Sequence, residues 1–139
     1  MSPDEPWSFR LFIPRDPQSV GIVRATLRSI LEAARLNCIV DTAELLVSEL
    51  VTNAHRHADT DAFVSMDYAP KELCVSVWDA GPGLSVAAVE PDAEAERGRG
   101  LPLVDALADE WGVARHHDKG AGVSGKGVWF RLRPGAGRG

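Results

Sequence analysis

The sequence predicts an α/β protein of two layers, a mixed sheet with helices on one face only. Three observations carry this. The strand-like segments alternate apolar and polar side chains, so each wants one covered face. Two long segments repeat apolar residues at helical spacing. The elements follow one another as β-α-α-β-β-loop-α-β-β, with no internal repeat and no linker that would split the chain.

Trp7 to Ile13 opens the chain as a strand, with Trp7, Phe9, Leu11 and Ile13 on one side and Ser8 and Arg10 on the other. Asp16-Pro17 reads as a cap followed by a first-turn proline. Val20, Val23, Leu27, Ile30, Leu31 and Ala34 then mark a helix over 17–35. Arg24, Arg28 and Arg35 lie off its apolar face, as a solvated basic face or a partner surface. Asp41 with Glu44 three residues on resembles a capping box and starts a second helix running to about His57 or Ala58. Strands are expected at Phe63 to Tyr68 and Glu72 to Asp79, around the turn Ala69-Pro70-Lys71. Residues 80–100, rich in Gly, Pro, Ala and acids, read as a long loop of the functional or mobile kind. A third helix is expected over Leu101 to Asp109. Strands follow at Trp111 to Arg115 and Gly127 to Leu132, joined by the glycine-rich loop His117 to Lys126.

With 139 residues the chain fits one domain over 1–139, with a core of 6–133 and a loose tail at 134–139. A formal net charge of -5 argues against a surface that tracks a nucleic-acid backbone. Cys38 and Cys74 form no CxxC pair and no metal-ligand spacing, so both are expected as buried or partly buried thiols. Met1 to Glu5 shows no basic start leading into an apolar segment, and no apolar run approaches the roughly 18 residues that span a bilayer. A cytoplasmic protein without membrane or direct nucleic-acid contacts is expected.

Several polar residues stand where the pattern asks for apolar ones. Glu49 and Asn53 are four apart and stack on one side of the second helix, at the edge of the arc formed by Leu46, Val47, Leu50, Val51, Ala54 and Ala58. Burying an unpartnered amide costs about 2–7 kcal/mol, so a partner is required. Backbone groups or a buried water serve as well as a ligand. Asp79 continues the inward phase of Leu73, Val75 and Val77 and runs into Ala80-Gly81-Pro82-Gly83. Alone, a bond to the following turn accounts for it. Gly98-Arg99-Gly100 leads into Leu101-Pro102-Leu103-Val104, where free N–H groups, a partial positive charge and a guanidinium suit a phosphate, and where a hinge would fit equally. Together these make a carboxylate for an amine, glycines for a flat base, an amide for a metal and a turn for phosphates.

In this order the motifs resemble the GHKL (Bergerat-fold) superfamily of ATP-binding domains, over nearly the whole chain. Glu44 to Ala58, containing Glu49 and Asn53, looks like its N box, and Val77-Trp78-Asp79-Ala80-Gly81-Pro82-Gly83-Leu84 like its first glycine box. Gly98-Arg99-Gly100-Leu101-Pro102-Leu103-Val104 looks like the second. Within the superfamily the chain is most similar to anti-sigma factor serine/threonine kinases of the RsbW and SpoIIAB type. The resemblance implies ATP and Mg²⁺ as cofactors. It implies that Asp79 binds the adenine amino group beside Gly81 and Gly83, that Asn53 coordinates Mg²⁺, and that Glu49 polarises the nucleophile. By the same resemblance His57 lies near the phosphates, which Gly98, Arg99, Gly100 and Leu101 hold under a lid at 84–99.

The implied activity is a protein serine/threonine kinase acting on a STAS-type anti-anti-sigma protein, with a sigma factor as the rival partner and a homodimer as the assembly. A non-catalytic ATP-binding regulator and a detached histidine-kinase catalytic domain are the alternatives. One departure stands out. Related chains commonly read Gly-Lys-Thr-Val-Trp-Phe at the last strand, and this one reads Gly125-Lys126-Gly127-Val128-Trp129-Phe130. A hydroxyl with the option of facing the nucleotide is missing.

Overall fold

The computed structural model describes residues 4–57, 61–79, 89–91, 101–118 and 123–135. Six strands form one sheet: β1 (Trp7–Ile13), β2 (Ala62–Ala69), β3 (Glu72–Asp79), β4 (Val89–Pro91), β5 (Glu110–Asp118) and β6 (Val123–Leu132). Among the described residues the α-helices are α1 (Gln18–Ala33), α2 (Val40–His57) and α3 (Pro102–Leu107). The order across the sheet is β1-β2-β3-β6-β5-β4. No helix among the described residues is long and apolar enough to cross a membrane.

The two-layer α/β arrangement is as predicted, but the sheet is not mixed: each of its five pairings is antiparallel. Connectivity explains this. Two helices separate β1 from β2, and two traversals return the chain to the end where β1 finished, so β2 runs back beside it. Further on, β5 runs in the same direction as β3, but β6 lies between them and pairs antiparallel with both. The two strands that share a direction never become neighbours.

Other expectations also shift. The long loop predicted over 80–100 contains β4, whose backbone pairs Val89 with His116 and Pro91 with Ala114. The loop expected over His117 to Lys126 is largely strand, with pairing reaching Asp118 and Val123. Both segments escape notice because short or glycine-bearing strands lack the apolar alternation that identifies the others. Cys38 is exposed, and Cys74 is half-buried with its thiol pushed up mainly by burial.

The ends of the helices are set locally. Asp16 Oδ1 accepts the Gln18 N–H at 2.8 Å, beside a Pro17 that already has helical angles. At the other end of α1 the Leu36 N–H reaches Leu31 O at 2.8 Å and the Arg35 N–H reaches Glu32 O at 3.1 Å, the Schellman pattern. Arg35 takes the left-handed position there, with φ 60°, where glycine is usual. The capping box expected at Asp41 and Glu44 does not form. A 3-10 turn, Asn37–Ile39, runs straight into α2 and places Asp41 within its first turn. Both carboxylates instead hold Arg28 of α1: Glu44 accepts from Nε at 3.0 Å and Nη2 at 2.6 Å, and Asp41 from Nη2 at 2.9 Å. Arg28 is therefore a tie between the two helices and not part of a free basic face.

The core lies between helices and sheet. Leu46, Val47, Leu50 and Val51 of α2 and Val23, Leu27 and Leu31 of α1 are fully buried against Val64, Met66, Leu73, Val75, Phe130 and Leu132. Each such aliphatic side chain contributes about 1.5–3 kcal/mol on burial.

The opposite face of the sheet has its own apolar row. Cross-strand register lines up Phe12, Phe63, Trp78, Gly127 and Ala114 over five strands. Trp78 is only 4% exposed, packs with Phe63 and Ala114, and donates from Nε1 to Ser76 Oγ at 2.9 Å. Its indole covers Gly127 so closely that a Cβ there would lie 2.4 Å from Cδ2 and 2.6 Å from Cε2 and Cε3. Position 127 thus faces away from the helix layer, because the neighbouring Val128 faces the core and the pleat alternates. A hydroxyl side chain at this position would meet Trp78 on the face away from the helix layer.

Candidate functional site

One stripe of α2 carries the polar residues singled out by the sequence. Leu45, Glu49, Asn53 and His57 follow at intervals of four, and burial deepens along the first three: Leu45 is exposed, Glu49 half-buried and Asn53 5% exposed. The gradient follows from where α2 ends. Only residues 58–60 separate His57 from Asp61, so the two are within about 14 Å of chain. Register then places Ala62 opposite both Ile13 and Asp79. The end of β1, the start of β2, the end of β3 and the last turns of α2 therefore meet at one end of the molecule.

Asn53 differs from the other buried polar residues. Ser19 donates to Pro14 O at 2.8 Å and Ser65 to Asp67 Oδ2 at 2.6 Å. Asn53 makes no hydrogen bond among the described residues. Its amide atoms are not among the buried side-chain atoms that lack a partner, so the amide stands where solvent or a ligand can reach it. Glu49, one turn earlier, has no ion-pair or hydrogen-bond partner among the described residues either. Other acids on the same chain do: Glu44 holds Arg28, and Glu72 and Glu110 both pair with Arg131 and Arg133.

Asp79 closes β3, its backbone opposite Ala62 and in pleat phase with Leu73, Val75 and Val77. His57 is the last residue of α2. Leu101 flanks α3 and is buried in the core with Val104, which anchors that helix against α2. Gly81, Gly83, Gly98, Arg99 and Gly100 lie outside the described residues, as does all of the expected lid at 84–99 except β4.

Two residues at this end gave no signal in the sequence. Arg15, in the turn after β1, donates from Nε and Nη2 to His55 O at 3.1 and 2.8 Å, and its N–H reaches Asp61 Oδ1 at 3.2 Å. It caps the C-terminal turn of α2 with a cation, as the helix dipole favours, and fixes the end that carries Asn53. A single arginine in a short turn belongs to no periodic pattern, so only the fold reveals it. His55 has its Nε2 buried without a partner, and burial, followed by the charge of Arg15, pushes its pKa down.

Among the described residues no three His, Cys, Asp or Glu side chains are grouped to hold a metal. The donor set present is one amide beside one carboxylate. That fits a Mg²⁺ whose remaining ligands come from a nucleotide's phosphates and water, the usual way this ion is bound.

A sheet with one helix-covered face, and a carboxylate and an amide on the helix stripe at the end where strands and helix converge, is the arrangement of a two-layer α/β domain. Residues 13–130 match the histidine kinase-like ATPase domain family, and the chain belongs to that family. A comparison with curated proteins found no match. Among solved structures, the chain is similar to the RsbU and RsbW domains of Rv1364c from Mycobacterium tuberculosis, at 21% identity and a TM-score of 0.65. That similarity covers 91% of this chain and 32% of the other, so this chain spans about a third of that one's length. The likeness supports the fold. The expected resemblance to the GHKL superfamily is borne out by the family match.

Proposed function

We propose that the chain binds Mg²⁺-ATP at the convergent end of α2 and β3 and transfers the γ-phosphoryl group to a serine or threonine hydroxyl of a STAS-type regulatory protein, with a sigma factor as its second partner. The observation that carries the reading is the 5% exposed amide of Asn53 one helical turn from Glu49, neither of which has a side-chain partner among the described residues. Asn53 would hold the Mg²⁺, which supplies charge neutralisation at the phosphates. Asp79 would accept from the adenine amine, with Gly81 and Gly83 letting the base approach. His57, Gly98, Arg99, Gly100 and Leu101 would surround the phosphates. Glu49 would accept the proton of the incoming hydroxyl as its oxygen bonds to phosphorus and ADP leaves. The match to a family of ATPase domains supports the nucleotide, and the likeness to a structure containing an RsbW domain supports the choice of partner.

The test separates binding from transfer. Calorimetry with Mg²⁺-ATP should show binding to the wild type and at least about tenfold weaker binding to Asn53→Ala and Asp79→Asn. Glu49→Gln should bind ATP normally and transfer phosphate to a STAS protein about 10²-fold more slowly. Binding without transfer in the wild type would leave a non-catalytic ATP-dependent regulator. An acid-labile product would point to histidine phosphorylation. No binding at all would refute the assignment of the site.

A further inference from the structure

The register that places Asp79 also places cations in line with it. Trp78 pairs with Gly127, so the next step along β3 and β6 sets Asp79 beside Lys126. Lys126 in turn pairs with Arg115 of β5, and Arg115 with Glu90 of β4. Asp79, Lys126, Arg115 and Glu90 therefore form one row across the sheet at the convergent end. The pleat assigns this row to the helix-covered side. Val128, two residues from Lys126, and Val113, two residues from Arg115, are both buried in the core. The row reads acid, base, base, acid, so each cation has an acid at the strand position on its other side. Lys126 is half-buried and makes no hydrogen bond or ion pair among the described residues.

We propose that Lys126 reads the purine base together with Asp79, and that this widens the site from 6-aminopurine to 6-oxopurine nucleotides. The inference rests on the Mg²⁺-ATP reading above and deepens it. An ionised carboxylate only accepts hydrogen bonds. It suits the 6-amine of adenine, whose neighbouring ring nitrogen N1 is left to find a donor elsewhere. A 6-oxopurine presents the reverse edge, an accepting O6 beside a donating N1–H. Against a lone carboxylate its N1–H is satisfied and O6 is not, and a buried acceptor without a donor is costly. An ammonium beside the carboxylate removes that asymmetry. Its three N–H groups turn on a flexible stem, so it donates to N1 of adenine or to O6 of a 6-oxopurine. In each case Asp79 takes the adjacent N–H. Side chains side by side on neighbouring strands start about 5 Å apart at Cβ, which lets both reach one edge of one ring. Arg115 lies one strand further away and stands opposite Glu90, so Lys126 is the donor.

Calorimetry on the full chain with the Mg²⁺ complexes of ATP and inosine triphosphate tests it. Inosine carries O6 and N1–H and no 2-amine, which isolates this edge. The wild type should bind inosine triphosphate within about tenfold of ATP. Lys126→Met keeps an unbranched apolar side chain and removes the ammonium. It should weaken inosine triphosphate at least about tenfold more than it weakens ATP. Lys126→Arg restores a donor and should bring inosine triphosphate binding back toward the wild type. Circular dichroism checks that both variants fold. A wild type that binds ATP and not inosine triphosphate overturns this inference and leaves the ATP site standing. So does an equal loss of both nucleotides in Lys126→Met, which makes the lysine a general charge and not a reader of the base. Cytidine triphosphate bound as well as inosine triphosphate also overturns it, since the base then goes unread. A wild type that binds no nucleotide refutes the Mg²⁺-ATP reading itself, and this inference with it.

Discussion

Replacing Gly127 by threonine, the residue that the family resemblance suggests at this position, should destabilise this protein. An added Cβ would stand 2.4 Å from Trp78 Cδ2, about 1 Å inside ordinary carbon contact. The indole cannot slide aside freely: it is buried, packed with Phe63 and Ala114, and bonded through Nε1 to Ser76. Overpacking of this kind costs about 1–3 kcal/mol. Losing the Ser76 bond costs about 0.5–1.5 kcal/mol more. Replacing a strand glycine recovers about 0.5–1 kcal/mol. The net is a destabilisation of roughly 0.5–4 kcal/mol, or about 2–14 °C in Tm for a chain of this size. Urea and thermal unfolding followed by near-ultraviolet circular dichroism measure it. Adding Trp78→Val to Gly127→Thr makes room for the new side chain. The double variant should therefore lose less than the two single variants summed, by at least about 1 kcal/mol. A Gly127→Thr protein as stable as the wild type, or additive behaviour in the cycle, would refute the packing argument. ATP affinity should not rise in Gly127→Thr, since the position faces away from the helix layer.

Two further outcomes follow from the backbone and from titration. Arg35→Gly relieves a left-handed residue in the α1 Schellman turn and should raise stability by roughly 0.5–1 kcal/mol in urea unfolding, with no change in the m-value. The folded protein holds the His55 pKa below its ordinary 6.5, so the unfolded chain binds more protons as pH falls past that value. Its contribution is complete above pH 6.5 and is lost as pH falls through the folded pKa. Wild-type stability should therefore drop on acidification through this window more steeply than that of His55→Gln. Parallel slopes in denaturant titrations across the window would remove His55 as the cause.

Much of the fold is legible in the sequence, and for a definite reason. Alternation in Trp7–Ile13 and Glu72–Asp79 and the helical stripe of α2 are properties of neighbours two to four residues apart, and they follow from strand pleat and helix pitch alone. The same short-range periodicity marks Glu49 and Asn53 as polar residues on the rim of an apolar arc, and it sets Asp79 in phase with the core. Spacing cannot say what a side chain meets across the fold. The resemblance of Asp41 and Glu44 to a capping box is local, yet Arg28 from another helix takes both carboxylates. Glycine at 127 reads as a missing hydroxyl until the register of β3 against β6 shows an indole lying on it.

The sequence by itself determined most of the elements, the inward and outward sides of most of those, and the chemical inventory of one site. The tertiary structure decided the order of strands, the antiparallel character of the sheet and the meeting of α2, β2 and β3 at one end. It also showed that Asn53 is buried there with no hydrogen bond among the described residues, and that among these residues β1 is an edge of the sheet. These depend on contacts between residues tens of positions apart, whose pairing is selected by how the whole core packs and not by any local preference.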